Sequence, residues 1–321
     1  MVRNHDEVII HTVNMRRVFG KTVAVDGLDL SIYKGEIFGL VGPDGAGKTT
    51  TLRLLAAIMD PSTGKAMVVG HDTIREAEAI KSHIGYMAQI FSLYGDLSVD
   101  ENLNFFADIF GVSRKARIER IERLLRFARL TDFRKRRAGK LSGGMQKKLA
   151  LACTLIHEPE LLYLDEPTTG VDPVSRREFW DILTELHVRG VTIVVSTPYM
   201  DEAERCSRVG LMYEGRLIEC GAPGDIRRRV PGKMLQFRPD DRRRARDILR
   251  ATPDILEVQT YGEQLHAFVD DVEDGKRLIT ETLGKAGIGI GDMREARPRM
   301  EEAFISLIRR QQQERGGNGP Q

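Results

Sequence analysis

The sequence predicts an α/β protein with a parallel core sheet, an antiparallel β subdomain and a helical subdomain, followed by a small C-terminal α+β domain. Three observations predict this fold. Residues 42–50 form a glycine-rich loop between a short apolar run and a segment with helical periodicity. Further short apolar runs are typical of strands buried on both faces of a parallel sheet. Beyond residue 232 the expected order of elements becomes βαββαβ, which is typical of a split βαβ domain.

Length and composition favour a soluble globular protein of two domains. The chain has 321 residues, 41% of them hydrophobic and 30% charged, with a net charge of +2. Because domains commonly contain about 100–200 residues, we expect domains at 1–231 and 232–310, with a disordered polar tail at 311–321. No apolar run reaches the roughly 18 residues of a membrane span, and the charged N-terminus is unlike a signal peptide. The three cysteines lack metal-ligand spacing and are expected to be reduced cytoplasmic thiols.

The loop at 42–50 matches the phosphate-binding pattern G-x-x-x-x-G-K-[ST]. Its glycines permit backbone angles that point several N–H groups at phosphate oxygens, and the helix that follows adds a partial positive charge. The lysine of such a loop reaches the β- and γ-phosphates, and the next hydroxyl binds Mg²⁺. A carboxylate would repel a triphosphate, so we expect Asp44 to face away or to bond the loop backbone. The residues assigned to nucleotide binding are Gly42, Pro43, Asp44, Gly45, Ala46, Gly47, Lys48, Thr49 and Thr50.

The antiparallel subdomain is predicted from two segments that precede the loop. Residues 8–13 alternate loosely, and residues 23–32 alternate between apolar and polar with period two, as half-buried strands do. Phe19 lies between them, and two interpretations of its ring stay open: it stacks on a purine, or it is an ordinary core aromatic.

The helical subdomain is predicted from residues 91–140. A capping box at 98–101 predicts a helix that begins near Val99. A second, amphipathic helix is expected at 117–130. Its buried face is expected to contain Ile118, Ile121, Leu124, Leu125 and Ala128. The basic run at 134–137 has no interleaved aromatic residues, which favours a solvated face over a nucleic-acid site.

Two further segments have residue types suited to phosphate chemistry. Ser142, Gly143 and Gly144 precede a helix, so exposed N–H groups and the helix dipole predict a second anion site. Asp165 and Glu166 follow an apolar strand at 161–164. The first acid suits a Mg²⁺-bound water, and the second suits the base that activates the attacking water.

In this order, the segments resemble the ATP-binding subunits of ABC transporters over roughly residues 8–229. The resemblance rests on five motifs, namely the loop at 42–50, Gln89, and the runs at 141–146, 161–166 and 170–172. It implies a P-loop ABC ATPase fold with ATP and Mg²⁺ as ligands. The resemblance also implies that Phe19 stacks on adenine and that Thr49, Gln89 and Asp165 contact Mg²⁺. It implies that Gln89 and Glu166 act in catalysis. The residues that it implies act across a dimer are Ser142, Gly143, Gly144 and Asp172.

The sequence LSGGM at 141–145 and the C-terminal extension resemble the ABC-2 type exporters of drugs and lipids. The family places a histidine after the strand at 191–195, where this chain has Pro198. This departure resembles the first half of two-headed subunits in the same exporter group, and it implies that the chain alone hydrolyses ATP slowly. Thr197 is expected to cap the next helix, with Pro198 at the first helical position.

The C-terminal part shows no titratable cluster in its sequence. We interpret it as a regulatory or dimer-supporting module, and a stabilising extension is the alternative. Acids near the basic runs at 227–229 and 242–244 favour solvated faces over contacts with nucleic acid or a membrane.

The sequence therefore predicts an ATPase subunit at the cytoplasmic face of the inner or plasma membrane, bound to an ABC-2 type permease and without a nucleic-acid partner. A second ATP-binding subunit, either a second copy or a sibling, completes a head-to-tail pair whose two states differ in ATP affinity. One alternative is a soluble ABC ATPase of translation or DNA repair. Another is a binding-only subunit with a degenerate site, which Pro198 motivates.

Overall fold

The computed structural model describes residues 7–90 and 93–316. The chain divides into two compact units, Met1–Cys220 and Gly221–Gln321. The functional boundaries suggested by the sequence, after residues 231 and 310, stay a prediction. Among the described residues, no helix combines the length and the apolar character needed to cross a membrane.

The first unit consists of two β-sheets and the helices that pack with them. Its strands are β1 (Val8–Phe19), β2 (Thr22–Tyr33), β3 (Ile37–Val41), β4 (Thr63–Val68), β5 (His71–Asp72), β6 (Ile84–Met87), β7 (Leu161–Asp165), β8 (Thr192–Thr197), β9 (Arg208–Tyr213) and β10 (Arg216–Gly221). Its helices are α1 (Lys48–Leu55), α2 (Ala77–His83), α3 (Val99–Ile109), α4 (Arg114–Phe127), α5 (Gly143–Thr154), α6 (Pro173–Val188) and α7 (Met200–Ala203).

The smaller sheet has the strand order β2-β1-β4-β5 with antiparallel pairs, which confirms the predicted β subdomain. β1 is longer than residues 8–13, because its pairing with β2 extends from Val8 opposite Tyr33 to Phe19 opposite Thr22. Phe19 is therefore the last residue of a strand, at the start of a tight turn.

The larger sheet has the order β10-β9-β3-β8-β7-β6. The pairs from β9 through β6 are parallel, as predicted. Every residue of β3 and β7 is buried, which is what continuous apolar runs predict for such a sheet. Because parallel strands end at the same edge, the segments that follow β3, β6, β7 and β8 meet there. These segments contain the phosphate loop, Gln89, Glu166 and Pro198.

The region 91–140 is helical in part. α3 begins at Val99 with the predicted capping box, in which the Ser98 Oγ accepts from the Glu101 N–H at 3.2 Å and the Glu101 carboxylate accepts from the Ser98 N–H at 2.7 Å. A loop separates α3 from α4, and short 3₁₀ turns at Thr131–Phe133 and Ala138–Lys140 lie between α4 and α5, so the predicted helical subdomain is interrupted by non-helical segments. Its first two residues lie outside the described ranges.

The predicted apolar face of α4 is wrong at one position. Ile118 is 65% exposed. The other four members of that face, Ile121, Leu124, Leu125 and Ala128, are buried as predicted.

The second unit is the predicted split βαβ domain. Its elements are α8 (Pro223–Arg228), β11 (Lys233–Phe237), α9 (Arg242–Arg250), β12 (Ile255–Tyr261), β13 (Gln264–Val269), α10 (Val272–Lys285), β14 (Arg294–Ala296) and α11 (Met300–Gly316). The strand order is β12-β13-β11-β14 with antiparallel pairs, and α9 and α10 pack on this sheet.

The last strand of this unit is β14, and Ile290, which precedes it, forms only an isolated bridge with Pro239. One expectation for this unit is wrong. The helix α11 continues to Gly316, so the predicted disordered tail begins as a helix. Residues 317–321 of that tail lie outside the described ranges.

Candidate active site

The phosphate loop connects β3 to α1 and has the predicted backbone conformation. Gly45 and Gly47 have φ angles of +79° and +98°. A Cβ atom on Gly47 would lie 2.3 Å from the Ala24 carbonyl oxygen, so any larger residue would clash with β2. Asp44 is exposed, as expected for a carboxylate that faces away from a triphosphate. The loop is thus held against β2 while its tip stays open to solvent.

Lys48 is buried, with 4% of its surface exposed. Its Nζ donates to the carbonyl oxygens of Gly42 at 2.8 Å and Pro43 at 3.0 Å. The same atom lies 3.4 Å from Glu166 Oε1. Loop carbonyls and a buried carboxylate therefore surround the ammonium group of Lys48.

Thr49 and Asp165 form a cluster of oxygen atoms beside the loop. The Thr49 hydroxyl donates to Asp165 Oδ1 at 2.9 Å, and the Ser196 hydroxyl donates to the same oxygen at 2.7 Å. The Tyr86 hydroxyl lies 3.5 Å from Asp165 Oδ2. Burial, with the nearby Asp165 charge as a smaller cause, raises the pKa of Tyr86 to about 12, so it stays a neutral donor.

The chemistry of this cluster fits Mg²⁺, which prefers oxygen ligands and takes only one or two of them from a protein at nucleotide sites. Among the described residues, no group of three or more His, Cys, Asp or Glu side chains is arranged to hold a metal by itself. A cation at Thr49 and Asp165 would therefore depend on phosphate oxygens and water for most of its ligands.

Glu166 is buried at the carboxyl end of β7. Its φ of +45° is uncommon for a residue with a side chain, and such strained angles often occur at functional sites. Its N–H donates to Ser196 Oγ at 3.0 Å, and its Oε2 accepts from Gln89 Nε2 at 2.8 Å. The structure thus brings Lys48, Gln89 and Glu166 together, three residues that lie far apart in the sequence.

Lys147 is a site residue that sequence reasoning missed. Its Nζ donates to the Gln89 carbonyl oxygen at 2.8 Å. Burial lowers its pKa, and the charges of Asp165 and Glu166 partly oppose that shift. A lysine within a helix is usually solvated, so the local pattern around Lys147 carries little signal for a role in the site.

The segment 142–144 lies at the N-terminus of α5. Ser142 Oγ accepts from the Met145 N–H at 3.3 Å, as an N-cap does. Ser142 and Gly143 are exposed, and a Cβ on Gly143 would meet nothing within 4 Å. Gly144 is buried, and its Cβ would lie 2.4 Å from Ser175 Oγ. The two adjacent glycines therefore differ, because Gly143 is open to solvent and Gly144 packs against Ser175 within the chain.

Asp172 is the N-cap of α6 and lies beside the segment 142–144. Its Oδ1 accepts from the Val174 and Ser175 N–H groups at 3.1 and 2.9 Å, which caps α6. The bond from the Ser175 N–H is the main cause that lowers the pKa of the Asp172 carboxyl. Its Oδ2 would lie 3.7 Å from a Cβ on Gly144. A structural role within one chain thus accompanies the predicted contact across a dimer.

Phe19 is 42% exposed, so the core-aromatic interpretation is wrong. The Arg17 guanidinium lies 4.6 Å from the ring centroid. This cation–π contact holds the ring at the end of β1.

Pro198 follows β8 at the same edge of the sheet. The neighbouring Thr197 hydroxyl donates to Glu202 Oε2 at 2.7 Å and accepts from the Tyr199 N–H at 3.0 Å. The helix α7 begins two residues later than predicted, with Tyr199 at its N-cap. The expectation that Thr197 caps this helix is wrong, because Tyr199 is the N-cap and the Thr197 hydroxyl accepts from the Tyr199 N–H, which precedes the helix.

Comparison with known proteins places this geometry in a family. Residues 25–169 match the profile described as ABC transporter. The chain is 37% identical over 306 residues to the Nod factor export ATP-binding protein I of Cupriavidus metallidurans, a match that covers 94% of this chain and 98% of that protein. The chain belongs to the ABC transporter family.

Other members of the ABC transporter family match in part. The chain is 43% identical over 221 residues to the probable multidrug ABC transporter ATP-binding protein YbhF of Escherichia coli (strain K12), covering 69% of this chain but only 38% of that protein. It thus spans well under half the length of that relative. A dimeric structure of an ATP-binding cassette, titled as a post-hydrolysis state bound to ADP and phosphate, superposes with a TM-score of 0.61 at 25% identity, covering 66% of this chain and 98% of the other.

These comparisons confirm the P-loop ABC ATPase fold and the ABC transporter resemblance. The roles assigned to individual residues stay predictions, which the geometry above makes specific.

Proposed function

We propose that this chain is the ATP-binding and ATP-hydrolysing subunit of an ABC-2 type exporter. The observation that carries the proposal is the position of Glu166, which is buried and contacts both Lys48 and Gln89 at the sheet edge. A carboxylate held this way beside a phosphate loop suits a base that takes a proton from the attacking water. Export is supported by the names of relatives, one a multidrug and one a Nod factor ATP-binding protein.

The phosphate loop binds the triphosphate in this proposal. Lys48 exchanges part of its bonding to loop carbonyls for the β- and γ-phosphates, and the N–H groups at the start of α1 complete the cradle. Phe19 stacks on the adenine through the face that Arg17 does not cover. The partly exposed position of Phe19 supports this role.

Thr49 and Asp165 would hold Mg²⁺ through their side-chain oxygens, and the Gln89 amide oxygen, which is not used in its bond to Glu166, would be a further ligand. The cation neutralises charge on the β- and γ-phosphates when it is bound. Ser196 keeps the Asp165 carboxylate oriented through its hydroxyl.

The second half of each site comes from another subunit, a second copy of this chain or a sibling. Ser142 and Gly143 are exposed at a helix N-terminus, which favours an anionic ligand presented from outside the chain. Head-to-tail pairing places these residues over the partner's γ-phosphate. Hydrolysis removes that shared charge and opens the pair. The pair closes with ATP and opens after hydrolysis because the closed state binds ATP more tightly than the open state does.

A permease contacts the subunit at the cytoplasmic face of the membrane. The names of the transport-related relatives favour this arrangement over a soluble ABC ATPase of translation or repair. A pulldown of the chain with its membrane proteins tests this part: recovery of a permease supports it, and recovery of ribosomes or DNA-repair proteins opposes it.

A binding-only subunit is the second candidate, and Pro198 favours it. Proline has neither a side-chain donor nor a backbone N–H to offer the γ-phosphate. Phosphate release by the purified chain, with Mg²⁺ and ATP, separates the two candidates. Slow release that disappears in Glu166→Gln supports the slow ATPase, and an identical background rate in both proteins supports the binding-only subunit.

A further inference from the structure

A cavity of about 770 Å³ lies within the second unit. It opens beside α8, the start of β11 and the segment that follows β14. Four cationic side chains line it, contributed by Arg227, Arg228, Lys233 and Arg297. Glu295 is the one carboxylate among its described lining residues. The lining is therefore strongly cationic, although the sequence suggested a solvated basic run near residue 227.

Two of these cations converge on one point. An atom placed at the Cβ position of Gly224 would lie 3.8 Å from Arg228 Nη1 and 4.0 Å from Arg227 Nη2. Arg228 also pairs with Asp225. Gly224 has no side chain that would fill the space beside these two guanidinium groups.

The floor of the cavity is apolar. Val230 and Met234 line it, and they are only 6% and 3% exposed. They pack with Phe268 and Ala303 in a small core of this unit, which gives the cavity a fixed wall. Its volume lies within the range of about 300–1,000 Å³ that is typical of small-molecule sites.

We propose that this cavity binds a small anion that carries one or more phosphate groups. Guanidinium groups match phosphate oxygens with paired hydrogen bonds, and three of the four cations are arginines. The apolar floor accommodates an uncharged part of the same ligand. The ligand is either a soluble phosphorylated metabolite or the headgroup of an anionic lipid, since both present the same chemistry. This cavity shares no residue with the proposed ATP site.

Isothermal titration of the full chain with inorganic pyrophosphate tests the proposal. The experiment is done in Mg²⁺-free buffer with one equivalent of ADP per chain, so that the phosphate loop is filled and no excess nucleotide competes for the cavity. We expect one further pyrophosphate to bind. The double variant Lys233→Ala/Arg297→Ala should weaken this binding at least tenfold, because both residues line the cavity and both are exposed.

The matched control is Lys276→Ala/Arg277→Ala. These residues lie on α10 in the same unit, pair with Glu273 and Asp274, and carry the same charge as the two removed from the cavity. We expect this control to bind pyrophosphate within twofold of the wild type. Absence of binding to the wild type, or equal losses in both double variants, overturns the site. If the cavity double variant melts early, Arg297→Ala alone gives the same comparison.

A vesicle arm separates the two ligand sources. The full chain is sedimented with vesicles of phosphatidylglycerol or of phosphatidylcholine, with and without pyrophosphate. A lipid headgroup is identified if the chain sediments with phosphatidylglycerol vesicles but not with phosphatidylcholine vesicles. This sedimentation must also be lost in the cavity variant and be prevented by pyrophosphate. Pyrophosphate binding without vesicle binding identifies a soluble ligand. Vesicle binding that is equal for both double variants is charge attraction outside the cavity and counts against the lipid source.

Discussion

The two halves of the proposed ATP site differ in how much of their chemistry is completed within one chain. On the phosphate-loop side, Lys48 and Glu166 are buried and contact each other, and Gln89 bonds the same carboxylate. On the other side, Ser142 and Gly143 are exposed at the start of α5, and a Cβ on Gly143 would meet nothing within 4 Å. Folding of one chain is enough to assemble the phosphate-loop half. The half at Ser142 and Gly143 also has its conformation in one chain, but it stays exposed to solvent, as expected for a surface that binds a partner.

The largest expected effect belongs to the buried half. Glu166→Gln keeps the shape of the side chain and removes the base, so ATP turnover should fall by about 10²- to 10⁴-fold while ATP affinity stays near that of the wild type. Phosphate release and titration of a fluorescent ATP analogue measure the two quantities. Glu119→Gln, at an exposed position on α4, is the control and should leave both unchanged. Wild-type turnover in Glu166→Gln would mean that this carboxylate is not the base.

A gain of function is expected at Pro198, beside the same half. A histidine there would donate a hydrogen bond to the γ-phosphate and help hold the attacking water. One preorganised donor is worth on the order of 2–4 kcal/mol in the transition state, or about 30- to 1000-fold in rate.

Pro198→Ala is the matched control for Pro198→His, because it restores the backbone N–H without a side-chain donor. We expect a higher rate of phosphate release only in Pro198→His. Brisk hydrolysis by the wild type, unchanged by either substitution, would contradict the slow-ATPase account.

Lys48→Ala tests whether the buried pair matters for the fold as well as for ATP. Loss of charged hydrogen bonds of about 1.5–3 kcal/mol should weaken ATP binding about 10- to 150-fold. Because Lys48 and Glu166 are both buried, the variant leaves a carboxylate unpaired, which costs up to about 3–5 kcal/mol of stability.

Combining Lys48→Ala with Glu166→Gln should recover much of the lost melting temperature but none of the ATP affinity, because it removes the unpaired charge. Lys65→Ala, an exposed lysine on β4, is the control for charge alone. If Lys48→Ala alone melts at the wild-type temperature, the pair of Lys48 and Glu166 contributes little to the stability of the fold.

The smallest expected effects come from the adjacent glycines of the open half. Gly144→Ala should lower the free energy of unfolding by about 1–3 kcal/mol, because the added carbon would lie 2.4 Å from Ser175 Oγ. Gly143→Ala should leave stability unchanged, since the new carbon has space around it. Chemical denaturation of the two variants checks this difference. Equal losses of stability would show that the start of α5 is not open at Gly143.

Much of the fold follows from local patterns. Continuous apolar runs predicted the parallel strands, and the loop at 42–50 with Asp165 and Glu166 predicted that the site lies at their carboxyl ends. The capping box at 98–101 predicted the start of α3. Each of these features depends on residues that are close together in the sequence, so the sequence alone is enough to predict it.

Side-chain environments that depend on distant residues were not predicted. Lys48 is enclosed by loop carbonyls and by Glu166, which follows β7, and Lys147 reaches Gln89 from a third segment. The cationic cavity of the second unit likewise combines α8 with the chain after β14, so its members look like separate solvated charges in the sequence.

The central claim, that the open half of one copy completes the buried half of another, is tested most directly by mixing two defective chains in the Glu166→Gln background. One carries Lys48→Ala and keeps its Ser142 segment. The other carries Gly143→Asp, which suits a helix N-terminus but repels phosphate, and keeps its phosphate loop. Analytical ultracentrifugation with ATP and Mg²⁺ should show each chain alone as a monomer and the mixture as a dimer, because one intact composite site forms. A dimer formed by either chain alone would contradict the composite site, and a mixture that stays monomeric would contradict pairing between two copies of this chain.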